Sequence, residues 1–166
     1  MKGQGGFTLV ELVVVIAIIV TLLAVATLYF LQFNERYQVD SLTKEIYSAL
    51  MRARNAAVTS GVPHIADFAA GDPFHLQVGP DADGDGVIDS PPRLVGTVVS
   101  DIQSPGFRIV LNNAPIVFDR RGLANQDQTL TIGVGNLKFG ATPGCIAIAS
   151  TRINVGKMEG ANCVQR

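Results

Sequence analysis

The chain opens with a long run of apolar residues. From Leu12 to Asn34 there are 23 consecutive residues without a charge. As an α-helix this window is about 35 Å long at ~1.5 Å per residue, and the hydrocarbon core of a membrane is only ~30 Å thick. A helix buried inside a soluble domain is rarely so long and apolar on every face. The pattern therefore predicts a membrane-spanning helix.

A cleaved secretory signal peptide is the main alternative for this run. Such a peptide has a shorter apolar stretch, and its small-residue cleavage site follows that stretch. Here the small residues Gly5 and Gly6 precede it. Lys2 lies before the run and the bulk of the chain after it. The positive-inside tendency then places the N-terminus in the cytoplasm and residues 35–166 on the other side.

The next segment continues the helix with one apolar face. Residues 34–60 contain no Pro or Gly, whereas Gly61 and Pro63 form a stop signal. Apolar residues recur at spacings of three and four, which is typical of an amphipathic helix packed on its own domain. The predicted apolar stripe consists of Val39, Leu42, Ile46, Leu50 and Ala53.

From Val62 onward, short β-branched or aromatic segments alternate with clusters of Gly, Pro, Asn and Asp. Their spacing predicts an antiparallel, two-sheet domain of about 105 residues that packs against the helix. The predicted fold class is therefore α+β. The predicted strands are 64–68, 74–78, 93–100, 107–111, 115–118, 129–134, 145–149 and 152–155.

Composition narrows the function classes. The chain is 48% hydrophobic and 16% charged, against about 25% charged in typical soluble domains, which excludes a disordered chain. A net charge of −1 provides no global basic field to attract nucleic acid. No catalytic constellation is present: His64 and His75 lie in apolar, strand-like segments, and the Arg120-Arg121 pair fits a solvated turn. We therefore predict a protein that is not an enzyme.

One carboxylate stands out at the start of the apolar helix. An ionisable residue there is costly and is usually functional, so Glu11 needs a cationic partner. That partner is either a free amine or a cation of another protein. A cut after Gly6 would place the α-amine of Phe7 one helical turn from Glu11, in the same chain or in a neighbour.

The N-terminal residues resemble the class III signal of type IV pilins and type II secretion pseudopilins. The resemblance rests on Lys2, Gly5-Gly6 and the run Phe7-Thr8-Leu9-Val10-Glu11-Leu12. It implies that a prepilin peptidase cleaves between Gly6 and Phe7 and N-methylates Phe7. It also implies that Glu11 pairs with the N-terminus of an adjacent subunit. The implied segments are a leader (1–6), a transmembrane and assembly helix (7–33), its amphipathic extension (34–61) and a periplasmic β-domain (62–166).

Two further stretches, 53–58 (ARNAAV) and 116–122 (IVFDRRG), resemble the GspH/FimT family. That family comprises the minor pseudopilin H of type II secretion and its type IV pilus counterparts. The resemblance implies a subunit held in the inner membrane by lipid contacts of its helix. Other pilin or pseudopilin subunits and the inner-membrane assembly platform are its implied partners, in a pseudopilus that drives protein export. The alternative is a minor, FimT-like type IV pilus subunit in pilus assembly or DNA uptake, and the resemblance disfavours a major fibre-forming pilin.

The C-terminal strand departs from the family pattern. Family members end with a strand that carries Gly-Arg-x-Arg, and in some pilus members this strand contacts DNA. Here the corresponding residues are Thr151-Arg152-Ile153-Asn154, with one Arg and without the Gly. Nucleic acid is therefore not an expected partner.

An Asp-rich loop carries carboxylates at positions 1, 3, 5 and 9 and Gly86 at position 6, as in EF-hand calcium loops. No Lys or Arg lies between Ile65 and Pro92 to neutralise them, but Pro92 stands at position 12, where a bidentate Glu is expected. Two interpretations remain open, a weak Ca²⁺ site and a solvated turn. The candidate ligands are the carboxylates of Asp81, Asp83, Asp85 and Asp89 and the carbonyl of Val87.

Cys145 and Cys163 are the two cysteines of the chain. Outside the cytoplasm a disulfide is the default expectation for such a pair. By loop entropy it would stabilise the C-terminal strand by roughly 3 kcal/mol.

Overall fold

The computed structural model describes residues 8–69, 74–89, 100–104, 108–111, 115–133 and 137–165. In this part of the chain one long helix packs on two antiparallel sheets, which confirms the predicted α+β class. The helix, α1, runs without interruption from Leu9 to Ser60. The predicted membrane segment and its amphipathic extension are thus one rigid element.

Nine strands occur within the described residues, and every strand pairing among them is antiparallel. They are β1 His64–Ala69, β2 Phe74–Pro80, β3 Ser100–Ser104, β4 Ile109–Leu111, β5 Ile116–Phe118, β6 Gln128–Ile132, β7 Gly144–Ile148, β8 Ile153–Glu159 and β9 Asn162–Gln165. The first sheet has the order β3-β2-β1-β5 and the second the order β4-β6-β7-β8-β9.

Both ends of α1 follow from local sequence. Thr8 has extended backbone angles, and its hydroxyl oxygen accepts a hydrogen bond from the Glu11 amide at 3.3 Å, so it acts as the N-cap. Gly61 adopts the left-handed conformation with φ 67° and donates its N–H to the Ala57 carbonyl. This is the glycine C-cap expected where a helix stops.

The core lies between the C-terminal half of α1 and both sheets. The predicted apolar stripe is buried, with Ile46, Leu50 and Ala53 at 0% exposure. Inward-facing residues of the strands pack against it, among them Leu76, Phe118 and Ile146. Each fully buried Leu or Ile contributes roughly 1.5–3 kcal/mol, so this stripe accounts for much of the attachment of the helix to the sheets.

The strand predictions differ from the structure by more than two residues at three places. The predicted strand 93–100 lies outside the described residues except for Ser100, where β3 begins and continues to Ser104. The predicted strand 152–155 is longer, since β8 extends to Glu159. The prediction also missed β9, because its sequence Asn-Cys-Val-Gln does not show the apolar alternation of a half-buried strand.

A single carboxylate ties the helix to the second sheet where burial begins. Glu35 lies one turn before Val39, the first buried residue of α1. Its Oε1 accepts the backbone N–H of Lys138, and its Oε2 accepts those of Phe139 at 2.9 Å and Ala141 at 3.2 Å. Hydrogen bonds to an ionised acceptor are about twice as strong as neutral ones. Glu35 therefore holds the loop between β6 and β7 against the helix.

We expect Glu35→Ala to lower the free energy of unfolding by about 1–2 kcal/mol, because three backbone donors lose a charged acceptor. Amide hydrogen exchange at Lys138, Phe139 and Ala141 should accelerate in the same variant. Glu35→Gln keeps one acceptor oxygen and should lose less. The control is Glu45→Ala on an exposed position of the same helix; an equal loss in that variant would contradict a specific role of Glu35.

Candidate assembly helix and cation-binding loop

Within the part of the chain that the structure describes, no other segment covers the N-terminal half of α1. Every described side chain from Leu9 to Asn34 is exposed, including Leu9 at 78% and Val15 at 47%. The most apolar 18-residue window of the helix has a mean hydropathy of 3.1 and is 0% buried. By length and composition this helix can cross a membrane. Its apolar surface requires lipid or other helices around it.

Glu11 lies in the first turn of this uncovered half. The positive end of the helix dipole favours a carboxylate there. Among the residues that the structure describes, no side chain forms an ion pair with it. Gly6 and Phe7, the residues of the predicted cleavage site, lie outside the described residues. The pairing of Glu11 with an amine therefore stays a prediction.

The Asp-rich loop brings three of its four predicted carboxylates together. Oxygens of Asp81, Asp83 and Asp85 lie within 4.8 Å of one another. Asp81 is buried and accepts the backbone N–H of Gly84 at 2.8 Å and that of Gly86 at 3.3 Å. Asp83 and Asp85 are exposed. Such a cluster offers the oxygen ligands that Ca²⁺ prefers.

The loop is fixed to the first sheet at both of its ends. Asp81 donates its N–H to the Pro63 carbonyl at 2.9 Å, and Asp89 donates its own to the Pro80 carbonyl at 3.0 Å. Ile88 lies so close to Gly79 that a Cβ at Gly79 would stand 2.3 Å from the Ile88 Cγ2. These contacts hold the carboxylates on a rigid base.

Asp89, the fourth candidate carboxylate, holds the start of the loop. It is outside the group of converging carboxylates, and its Oδ2 accepts the backbone N–H of Ala82 at 2.8 Å. Val87 is 63% exposed, and its N–H donates to Asp85 Oδ1 at 2.8 Å. Three of the four candidate carboxylates thus converge, and calcium binding by this loop stays a prediction.

The structure contains the predicted disulfide between Cys145 and Cys163. Cys145 lies on β7 and Cys163 on β9, so the bond passes over the intervening strand β8 at Gly156. A Cβ at Gly156 would stand 2.2 Å from the carbonyl oxygen of Val164. Only glycine lets the terminal strand fold this closely onto β8.

The segment after β5 forms a tight turn in which Arg120 and Arg121 are exposed. Asp119 Oδ1 accepts the backbone N–H groups of Arg121 at 2.9 Å and Leu123 at 2.8 Å. The Arg121 guanidinium also pairs with Asp119 Oδ2 at 3.1 Å. Chiefly the hydrogen bond from the Leu123 amide, and then the Arg121 contacts, lower the pKa of the Asp119 carboxyl.

The two histidines and the C-terminal strand residues singled out in the sequence show no site in the described part of the chain. His64 is fully buried and its Nδ1 lies 2.9 Å from the Val62 carbonyl oxygen. The side chain of His75 is outside the described part. Arg152 is exposed before β8, and Asn154 is half-buried on that strand. The contact of Glu35 was not predicted, because its carboxylate accepts backbone N–H groups that lie more than 100 residues away in the sequence.

Comparison with known proteins agrees with this architecture. A long helix that is half uncovered and half packed on antiparallel sheets defines a pilin-like chain. The family described as "Type II transport protein GspH" matches residues 42–151, more than half of the sequence, and the "Prokaryotic N-terminal methylation motif" matches residues 1–27. The chain therefore belongs to the GspH family.

Individual relatives match either in sequence or in structure. Two fimbrial proteins of Pseudomonas aeruginosa are each 43% identical to this chain over 61 residues, 37% of this chain and 39% of theirs. The chain thus matches well under two thirds of the length of these relatives. The crystal structure of the type IV minor pilin FimU of Pseudomonas aeruginosa PAO1 covers 80% of this chain and 97% of that one, with a TM-score of 0.55 and 20% identity. At that identity the likeness shows the fold.

If the loop binds calcium, the cation relieves the repulsion among its three carboxylates. The full chain in detergent should then melt several degrees higher in 10 mM CaCl₂ than in chelator. At ten times the Kd, binding to the folded state adds about 1.4 kcal/mol. Asp83→Asn with Asp85→Asn should abolish the shift. Asp67→Asn, an exposed carboxylate on β1, should preserve it; an unchanged wild-type melting curve with and without calcium would make the loop a solvated turn.

Proposed function

We propose that this protein is a minor subunit of the type II secretion pseudopilus. The observation that carries the proposal is the continuity of α1, half uncovered and half packed on the sheets. Before assembly, the uncovered half would lie in the inner membrane and the β-domain would face the periplasm. After assembly, the same half would pack among the helices of neighbouring subunits.

Glu11 would direct this assembly. In a filament core without water, an uncompensated carboxylate is costly. The N-methylated α-amine of Phe7 in an adjacent subunit would neutralise it, after a prepilin peptidase has removed residues 1–6. The match of residues 1–27 to the N-terminal methylation motif supports this processing. The proposed role is structural and requires no catalysis by the chain itself.

A minor subunit of a type IV pilus is the second candidate. The fimbrial relatives and the fold shared with FimU favour it, whereas the family match favours the secretion system. A role in DNA uptake would need a basic face on the C-terminal strand. There, exposed Arg152 is followed two residues later by the uncharged Asn154.

Processing gives the first test. Mass spectrometry of the native protein from membranes should show a chain that begins at methylated Phe7, because Gly6 and Phe7 stand at the cleavage point of the motif. An intact Met1, or a new N-terminus beyond residue 31, would contradict the assignment to a pilin-like system.

Substitution of the helix carboxylate gives the second test. Glu11→Leu should leave membrane insertion intact, since it removes a charge from an apolar helix. In a strain that lacks the wild-type gene, it should reduce co-purification with other subunits at least about tenfold, as expected from loss of a charged pair in a low-dielectric core.

The same strains distinguish the two machines. Loss of protein export with normal surface pili would support the pseudopilus, and the reverse would support the pilus. Glu45→Leu, at an exposed position beyond the apolar half, is the control and should complement fully. Wild-type co-assembly of Glu11→Leu would contradict the docking role.

A further inference from the structure

The strand register places three chain segments at one end of the first sheet. His64, the first residue of β1, is opposite both the last residue of β2, Pro80, and the last residue of β5, Phe118. The Asp-rich loop therefore leaves the sheet beside the turn that follows β5. The C-terminal end of α1 arrives at the same end through Gly61–Pro63.

The turn after β5 is pressed onto the last turns of the helix. Gly122 has φ 75°, and a Cβ there would stand 2.8 Å from Val58 Cγ2 and 3.1 Å from Arg54 Cγ. Asp119 fixes the backbone on the other side of the turn. The turn that carries Arg120 and Arg121 is thus packed against the helix at Arg54, although the two stretches are more than 60 residues apart in sequence.

The resulting surface is positively charged. We call Arg54, Arg120 and Arg121 the basic surface. Arg120 and Arg121 are exposed and Arg54 is half-buried. Within the described part of the chain, Asp119 pairs with Arg121, and no ion pair neutralises the other two arginines. Val58, 52% exposed, adds an apolar contact at its edge.

We propose that the basic surface binds a carboxylate-rich segment of a neighbouring protein subunit. Guanidinium groups pair with carboxylates through two parallel hydrogen bonds. The rigid turn holds the backbone of two of the three arginines before binding, which lowers the entropy cost of ordering them. This inference rests on the proposed function only for the position of the surface relative to the membrane.

Position and charge argue against two other anionic partners. Val58 lies about 40 Å along the helix from Leu31, at ~1.5 Å per residue, which is too far for headgroups of the membrane that holds the apolar half. A net charge of −1 gives the chain no wider basic field for a long polyphosphate strand, whereas a short carboxylate segment needs only the arginines of the basic surface.

Fluorescence anisotropy with a labelled decaglutamate peptide tests the proposal on the full chain in detergent. Arg54→Gln with Arg120→Glu should weaken binding roughly tenfold, and it leaves the Arg121–Asp119 pair intact. Arg108→Gln with Arg152→Glu makes the same charge change at two exposed arginines of the second half of the domain. This control should bind the peptide like wild type.

Folding and competition experiments complete the test. Arg120→Gln alone changes one exposed side chain and should weaken binding by a few-fold even if the double variant unfolds. The proposal is overturned if wild type does not bind the peptide or if the control loses as much affinity as the double variant. It is also overturned if single-stranded DNA or phosphatidylglycerol vesicles displace the peptide more effectively than unlabelled peptide does. None of these results depends on processing or filament assembly.

Discussion

The packing of one helix face against two sheets is the interaction on which the rest of this molecule depends. From Val39 to Ala57 the buried face of α1 fills the space between the sheets. The same helix continues for 30 residues before Val39 with no such cover. Because the helix is unbroken, whatever surrounds the apolar half also fixes the direction in which the β-domain projects. Burial of the stripe therefore couples the orientation of the β-domain to that of the apolar half of the helix.

The direction of the β-domain relative to the apolar half of α1 depends on the point where the helix leaves the domain. Where a helix leaves its domain, forces on the free half act on the last buried turn. Hydrophobic contacts there are not directional, so polar contacts are needed to fix the direction of the helix. Glu35 supplies direction at this point, because its two oxygens accept three amides from one loop. Lys157 adds a second polar link from β8 to Asp40 at 3.5 Å. Together they add two directional contacts to the burial of one helix face, at the point where the helix leaves the domain.

The sequence was sufficient for features that depend on periodicity or on local motifs. The helix stripe, its glycine stop and most strands follow from spacings within a few residues, and the disulfide follows from two cysteines in a domain that the sequence predicts to lie outside the cytoplasm. Features that depend on pairing between distant backbone groups could not be predicted. The three amides that bind Glu35 belong to residues with no shared side-chain property, and β9 is a polar segment held in place by Cys163 and by the close approach at Gly156. The hydrogen bond from the Ala82 amide to the Asp89 carboxylate is another such pairing, which the spacing of the Asp residues alone did not indicate.

The end of the first sheet that carries the Asp-rich loop and the turn after β5 depends on both local sequence and long-range pairing. Local sequence accounts for the acidic character of the Asp-rich loop and for the tight Asp119 turn, each built on carboxylates that accept nearby amides. Only the fold brings the two side by side, since β1 lies between the strands that lead into them. Opposite charges about 10 Å apart give this end a dipole that the net charge of −1 of the whole chain does not reveal. A charged partner that binds at this end is held in one orientation as well as attracted. The helix already fixes the direction in which the domain projects, and this surface would fix how a neighbouring molecule is turned relative to it.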